Sequence, residues 1–201
     1  MALNQFGHTQ GVIVSLSLRK GMENMQWVCY TDGSCLDQNS GTGGSGAWAF
    51  HAIFGDQTVE KSCGYFKTTN NRMEILAIIS FLEEFQEPTK ITIRTDSQYT
   101  IDSVTKWIYG WIKNNWVTSQ GQPVKNKDLF ERLFKLVKFH TVTFEKVLAH
   151  SGIEGNERAD ELAKEAAGNP TLVDEGYTPP DPNEVKPIAV KKPWWMKYKK
   201  K

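Results

Sequence analysis

Apolar positions recur along this chain at two spacings, and the change from one to the other marks where its elements begin and end. Trp27-Val28-Cys29-Tyr30-Thr31 is β-branched and aromatic and runs into Asp32-Gly33-Ser34, where glycine lets the backbone turn. The pattern predicts a strand with Asp32 at its end. A loop rich in Gly, Asn and Ser is expected from Asp37 to Gly46, followed by strands over Ala47 to Phe54 and Thr58 to Phe66, joined near Gly55-Asp56 as an antiparallel meander. At Thr68-Thr69-Asn70-Asn71-Arg72-Met73-Glu74 a polar run becomes helix. Thr69 or Asn70 can cap that helix by accepting a backbone N–H, and Ile75, Ile78, Ile79, Leu82 and Phe85 recur as a buried stripe up to an end near Pro88. Glu74 lies about 100° round the helix from Ile75 and so borders the stripe.

Ile91 to Thr95 alternates as a fourth strand and delivers Asp96 at its end, with Ser97 placed to cap the next helix. From Gln98 to Trp116 the pattern is helical and broken at Gly110. Lys127 to Phe139 is a helix with Leu129, Leu133, Leu136 and Val137 inward, and Thr141 to Leu148 is a fifth strand. The last helix runs from Glu157 to Ala167; Ala159, Leu162, Ala163 and Ala166 form its stripe, and Asp160 borders it as Glu74 borders its own. The order β-β-β-α-β-α-α-β-α predicts an α/β domain with a mixed sheet. Residues 1–22 are read as a leader in which 11–18 could form a short strand without a hairpin partner. Pro179-Pro180-Asp181-Pro182 marks the end of packed structure.

Composition narrows this picture to one core: 201 residues, 39% hydrophobic and 23% charged, fill a single domain with tails. Cys29, Cys35 and Cys63 have neither CxxC nor zinc-finger spacing, so no disulfide framework or zinc site is signalled. No apolar run approaches the roughly 20 residues of a membrane span, and the first residues lack the pattern of a secretory signal. A soluble monomer in a reducing cytoplasm is expected. The net charge of +1 is uneven: seven lysines and no acid follow Glu184, which puts +7 on the tail and leaves −6 on residues 1–184.

Four acids stand at comparable places, Asp32 and Asp96 at strand ends, Glu74 and Asp160 in the first turns of helices. Singly, each has an ordinary explanation: Asp32 as a turn residue, Asp96 as part of a strand-to-helix cap, Glu74 as a boundary residue reaching water, Asp160 as a helix-start charge favoured by the macrodipole. Open sheets, however, bind ligands at one end of their strands, and helices packed on the sheet can bring side chains to that edge.

Together the motifs Tyr30-Thr31-Asp32-Gly33-Ser34-Cys35, Thr68-Thr69-Asn70-Asn71-Arg72-Met73-Glu74, Thr95-Asp96-Ser97-Gln98-Tyr99, Pro123-Val124-Lys125-Asn126 and His150 with Asn156-Glu157-Arg158-Ala159-Asp160 closely resemble the bacterial type 1 ribonuclease H enzymes. The resemblance runs from about Trp27 to Tyr177. It implies a ribonuclease H-like fold, a five-stranded mixed sheet flanked by helices, with residues 23–177 as the catalytic domain and 178–201 as a Pro-rich, then basic and aromatic, tail. It also implies an endonuclease that hydrolyses the RNA strand of RNA/DNA hybrids with two Mg²⁺ ions, Mn²⁺ being a substitute, leaving 5′-phosphate and 3′-hydroxyl ends. The family's metal-binding carboxylates fall on Asp32, Glu74, Asp96 and Asp160, and its mobile catalytic histidine on His150. Mg²⁺ takes oxygen ligands, and four crowded carboxylates would repel one another without a cation. Imidazole titrates near neutrality, which suits His150 to carrying a proton. By the same resemblance Asn39, Asn70 and Gln98 meet the minor groove and 2′-hydroxyls, while Lys67, Thr69 and Asn126 hold a DNA phosphate. Lys67 stands where the family often has arginine, and it lacks the bidentate fork. A non-catalytic hybrid-binding module is the competing class. Loss of a carboxylate would mark it, and none is missing.

Trp107, Trp111 and Trp116 occupy the place of the family's basic handle, although the segment is only weakly basic, and packing is the expected role of Trp107 and Trp111. The tail, Lys191-Lys192-Pro193-Trp194-Trp195-Met196-Lys197-Tyr198-Lys199-Lys200-Lys201, is either a solvated end or a replacement for the handle's electrostatic work.

Overall fold

The computed structural model describes residues 25–37 and 43–179. The expected strand over 11–18, Asn39 and the lysine-rich tail lie outside these residues. Five strands, β1 (Trp27–Cys35), β2 (Gly44–Phe54), β3 (Gln57–Thr68), β4 (Lys90–Thr95) and β5 (Thr141–Lys146), form one sheet in the order β3-β2-β1-β4-β5. The first three are the expected antiparallel meander, and its tight turn at Gly55 has φ +58°, a conformation glycine adopts without strain. β4 and β5 add in parallel, β4 beside β1.

The helices are α1 (Asn70–Leu82), α2 (Gln98–Asp102), α3 (Ile108–Lys113), α4 (Lys127–Phe139) and α5 (Glu154–Gly168). Gly33 on β1 touches α1 and Tyr30 on β1 touches α5, so odd and even positions of one strand face the two helices across the sheet. α1 is buried along its whole length from Arg72 to Leu82 instead of along one stripe, because the sheet lies on one side of it and α4 on another. Trp27, Phe50 and Phe81 pack edge to face or tilted between sheet and helix. Among the described residues no helix is long and apolar enough to cross a membrane. Cys29 and Cys35 are buried thiols, and no cysteine is in a disulfide.

Several expected boundaries shift. α1 ends at Leu82, six residues before Pro88, and Glu83 closes it. The helix after Asp96 is interrupted at a π-helical stretch, Ser103–Trp107, where the Thr105 hydroxyl donates to the Ile101 carbonyl at 2.6 Å; Gly110 lies inside regular α3. α5 begins at Glu154 instead of Glu157, so Asp160 sits in its second turn. Trp107 is 43% exposed and tilts against the half-buried Trp111, so packing describes Trp111 better than Trp107.

Candidate active site

β1 does not end at Asp32. It pairs with β2 as far as Cys35 opposite Gly46, whereas its parallel pairing with β4 stops at Thr31 opposite Thr95. Asp32 and Asp96 are therefore the first residues beyond the last rung of the parallel ladder, and they emerge side by side at its carboxyl end.

Glu74 arrives from α1, and glycine makes this approach possible. A Cβ on Gly33 would lie 2.3 Å from the Glu74 backbone nitrogen and 2.6 Å from the Met73 carbonyl carbon. Strand and helix thus meet backbone to backbone, with no side chain to hold them apart. Thr69 caps α1 by accepting from the Arg72 N–H at 3.4 Å, and Ser97 caps α2 by accepting from the Thr100 N–H at 3.4 Å. Each cap fixes the chain next to an acid.

One carboxylate oxygen from each of Asp32, Glu74 and Asp96 lies within 4.8 Å of the other two. Burial raises all three pKa values, and the charges of neighbouring acids add to it. For Asp32, burial comes first and the charges of Asp96 and Asp160 second, and the result is about 7. Glu74 is pushed well up by burial and then by Asp32 and Asp96, against a backbone hydrogen bond from Gly33. Asp96, half-buried, is raised mainly by desolvation. Asn70 Nδ2 donates to Glu74 Oε1 at 3.3 Å, whereas Glu74 Oε2 is buried without a partner. A carboxylate buried with an unpartnered oxygen and clustered with two further acids is costly, and a cation relieves it.

Asp160 stays outside this trio. Its carboxylate accepts from Lys164 Nζ at 2.6 Å, one turn along α5, yet it lies near enough to raise both Asp32 and Asp96. α5 is seated by contacts that leave no room for a Cβ: Gly155 against the Tyr30 ring and Gly64 against the Ala166 carbonyl. His150 is exposed, in a turn with φ +52°, and its charge acts on Asp96.

The other expected site residues stand at or next to the ends of elements. Gln98 is exposed and donates to Asp102 Oδ1 at 3.0 Å. Asn126, with φ +56°, precedes α4 and donates to the Tyr99 hydroxyl at 3.4 Å. Lys67 is exposed at the end of β3, beside Thr69. Sequence reasoning missed the node beneath them. Arg72, 3% exposed, makes two hydrogen bonds to Asp174, from Nε at 2.7 Å and Nη2 at 2.8 Å, and two to Asp128, from Nη1 at 3.0 Å and Nη2 at 2.7 Å. The Thr68 hydroxyl also donates to Asp174, at 2.6 Å. Arg72 was visible in its motif, but nothing local marks Asp174, which lies 102 residues away.

Residues 24–168 match the family model for RNase H. The chain belongs to the RNase H family. A ribonuclease H of Haemophilus influenzae (strain 86-028NP) is 49% identical over 150 residues, covering 74% of this chain and 94% of the relative. The ribonuclease HI of Pasteurella multocida is 47% identical over 150 residues, covering 75% and 95%. Among solved structures, LC9-RNase H1, a type 1 RNase H with the type 2 active-site motif, superposes with a TM-score of 0.65 at 26% identity, covering 76% of this chain and 75% of that one. This bacterial type 1 RNase H chain is an endoribonuclease with the RNase H-like fold expected from its motifs, and its carboxylate cluster lies at the carboxyl end of the parallel ladder between β1 and β4.

Proposed function

We propose that this chain hydrolyses the RNA strand of RNA/DNA hybrids by two-metal-ion catalysis, leaving 5′-phosphate and 3′-hydroxyl ends. The observation that carries this reading is the trio Asp32, Glu74 and Asp96, in which Glu74 keeps one buried oxygen without a partner, inside a chain of the RNase H family. The donor set is all carboxylate oxygen, with no thiol or imidazole in the trio, which suits Mg²⁺ and also Mn²⁺. Asp32, Glu74 and Asp96 hold the ions, and Asp160 joins them by leaving Lys164. The Asp160–Lys164 pair is a partly exposed i,i+4 contact, a class worth only about 0.3–0.5 kcal/mol, so its release is easy. When bound, the ions supply an activated water and charge stabilisation on the phosphate and the leaving 3′ oxygen.

The remaining work falls to side chains. Asn70 donates to Glu74 and orients it, and on this reading it also faces the hybrid's minor groove together with Gln98. Lys67, Thr69 and Asn126 hold a phosphate of the DNA strand. The 2′-hydroxyl distinguishes the RNA strand, and groove shape separates a hybrid from either pure duplex. His150, exposed on its turn near Asp96, carries a proton between the site and solvent.

The test is cleavage of an end-labelled hybrid with and without Mg²⁺, beside single strands and both pure duplexes, for the natural chain and for Asp96→Asn. The natural chain is expected to cut only the RNA of the hybrid, and only with the metal. Asp96→Asn is expected to bind the hybrid and leave it intact. Cleavage in EDTA, or wild-type turnover by Asp96→Asn, would overturn the reading.

A further inference from the structure

The residues read above as holding a phosphate of the DNA strand come from three separate segments: Lys67 from the end of β3, Thr69 from the cap of α1 and Asn126 from the residue before α4. They can share one phosphate only if those segments keep a fixed relation. Arg72 ties two of them, because its backbone N–H donates to the Thr69 hydroxyl at 3.4 Å while its guanidinium forks onto Asp128, two residues beyond Asn126. Asp174 ties in the third. It accepts from Arg72 at 2.7 and 2.8 Å and from the hydroxyl of Thr68, the last residue of β3 and the neighbour of both Lys67 and Thr69. A strap over residues 171–177 carries Asp174 to this place after α5: the Thr171 and Leu172 N–H groups donate to the Gly64 carbonyl at 3.0 and 3.1 Å, and Phe66 N–H donates to the Leu172 carbonyl at 2.9 Å. Gly176 then passes so close that a Cβ on it would stand 2.3 Å from Asp128 Oδ2 and 2.4 Å from Arg72 Nη2. The strap follows the stretch that matches the family model, which ends at residue 168.

We propose that Asp174 is a positioning residue for substrate binding, holding Lys67, Thr69 and Asn126 in register as one phosphate pocket through Arg72 and Thr68. The proposal rests on the reading of those three residues as the DNA-phosphate site. Asp174 is 7% exposed and carries the same sign of charge as a phosphate, so any effect it has on binding runs through the groups it holds. The joint is stiff. Arg72 is 3% exposed, and a guanidinium paired with carboxylates through parallel bonds has a fixed geometry that a solvent-exposed ion pair lacks. It is also separate from the contact that places Glu74, which is the backbone approach of α1 to Gly33. Loss of Asp174 therefore weakens binding and spares the chemical step, whereas a general loosening of the domain harms both.

The experiment is a double-mutant cycle in the full chain between Asp174→Asn and Asn126→Gly, glycine being able to keep the φ of +56° at that position. Affinity for an RNA/DNA hybrid is measured in EDTA, cleavage at saturating hybrid is measured with Mg²⁺, and folding is checked by circular dichroism at the assay temperature. Each single variant is expected to bind about tenfold more weakly, the weight of one hydrogen bond to a charged group, and the double variant to bind no more weakly than the worse single one. Independent effects would instead multiply to about 100-fold. Asp174→Asn is expected to keep its saturated rate within about twofold. Glu84→Gln is the control for lost stability alone, since it breaks an equally buried ion pair, with Lys61, beyond the far end of α1, and it is expected to bind like the natural chain. If Asp174→Asn does not fold, Asp128→Asn removes the partly exposed arm of the fork and decides the same cycle. Natural affinity in the folded Asp174→Asn protein, a multiplicative loss in the double variant, or a lost saturated rate at natural affinity would each overturn the proposal while a weakened Asn126→Gly leaves the phosphate reading standing. Natural affinity in both Asn126→Gly and Lys67→Ala would sink the phosphate reading itself, and the proposal with it.

Discussion

Gly33→Ala separates what holds this domain together from what lets it work. The added methyl would sit 2.3 to 2.9 Å from three backbone atoms of Met73 and Glu74, whereas ordinary contact begins near 3.4 Å. Backbone cannot rotate away as a side chain can, so α1 must retreat from β1 by about 1 Å, and overpacking of this kind costs about 1–3 kcal/mol. A domain stable by roughly 5–15 kcal/mol survives that loss. The geometry of the carboxylates does not, because Asp32 is fixed by β1 and Glu74 moves with α1. A displacement of about 1 Å in a positioned site is worth about 100-fold in rate. Urea denaturation is expected to show a lowered midpoint at unchanged slope, and hybrid cleavage at saturating Mg²⁺ to fall by about two orders of magnitude. Gly110→Ala is the control: it lies within α3 with nothing within 4 Å of the new methyl, and is expected to be neutral or stabilising by about 0.5–1 kcal/mol with full activity. A Gly33→Ala protein with the natural midpoint and rate would refute the backbone contact. A destabilised one with the natural rate would show that the contact does not set the distance between Asp32 and Glu74.

Three further outcomes follow from the same geometry. Asp32 is pushed up to about 7 and Glu74 is raised as well, so the folded state holds protons that the unfolded chain has released above about pH 4; metal-free stability is therefore expected to fall as pH rises from about 4 to 7, and Mg²⁺ to flatten that slope, both readable by thermal denaturation. A metal-free domain that gains stability over that range would contradict the clustering. Asp174→Ala leaves the buried Arg72 with Asp128 alone and is expected to cost about 3–5 kcal/mol in urea denaturation; a change below about 1 kcal/mol would show the node to be structurally idle. His150→Ala is expected to slow cleavage by about 10²–10⁴-fold at most without ending it, because the carboxylates and their ions are untouched; complete loss in a stopped-time assay would make the imidazole indispensable.

Local pattern was enough for much of this protein. β-Branched and aromatic runs between turn residues predicted the meander, a change of period located α1, α4 and α5, and the caps were recognisable as Ser97 and as Thr69 or Asn70, of which the structure uses Thr69, because capping is settled within three residues. The motifs around Asp32, Glu74, Asp96 and Asp160 pointed to the RNase H family. Where tertiary contacts competed with local preference, the pattern failed. Asp32 read as a strand end because Gly33 follows it, yet β2 extends the strand to Cys35, and what ends beside Asp32 is the ladder to β4. Gly110 read as a helix break, but helical φ and ψ suit glycine well enough, and the interruption falls at Ser103–Trp107. Glu74 was legible as a boundary acid, while its full burial depended on sheet and α4 closing round α1. Whether four acids share one site is likewise a matter of three-dimensional placement: three converge, and Asp160 turns to Lys164, its neighbour by helical spacing. Asp174 had no sequence signal, since its meaning lies in Arg72, 102 residues earlier. Residue spacing along a chain encodes contacts within an element; contacts between elements depend on how their faces pack, and here that packing fixes the distances on which the chemistry depends.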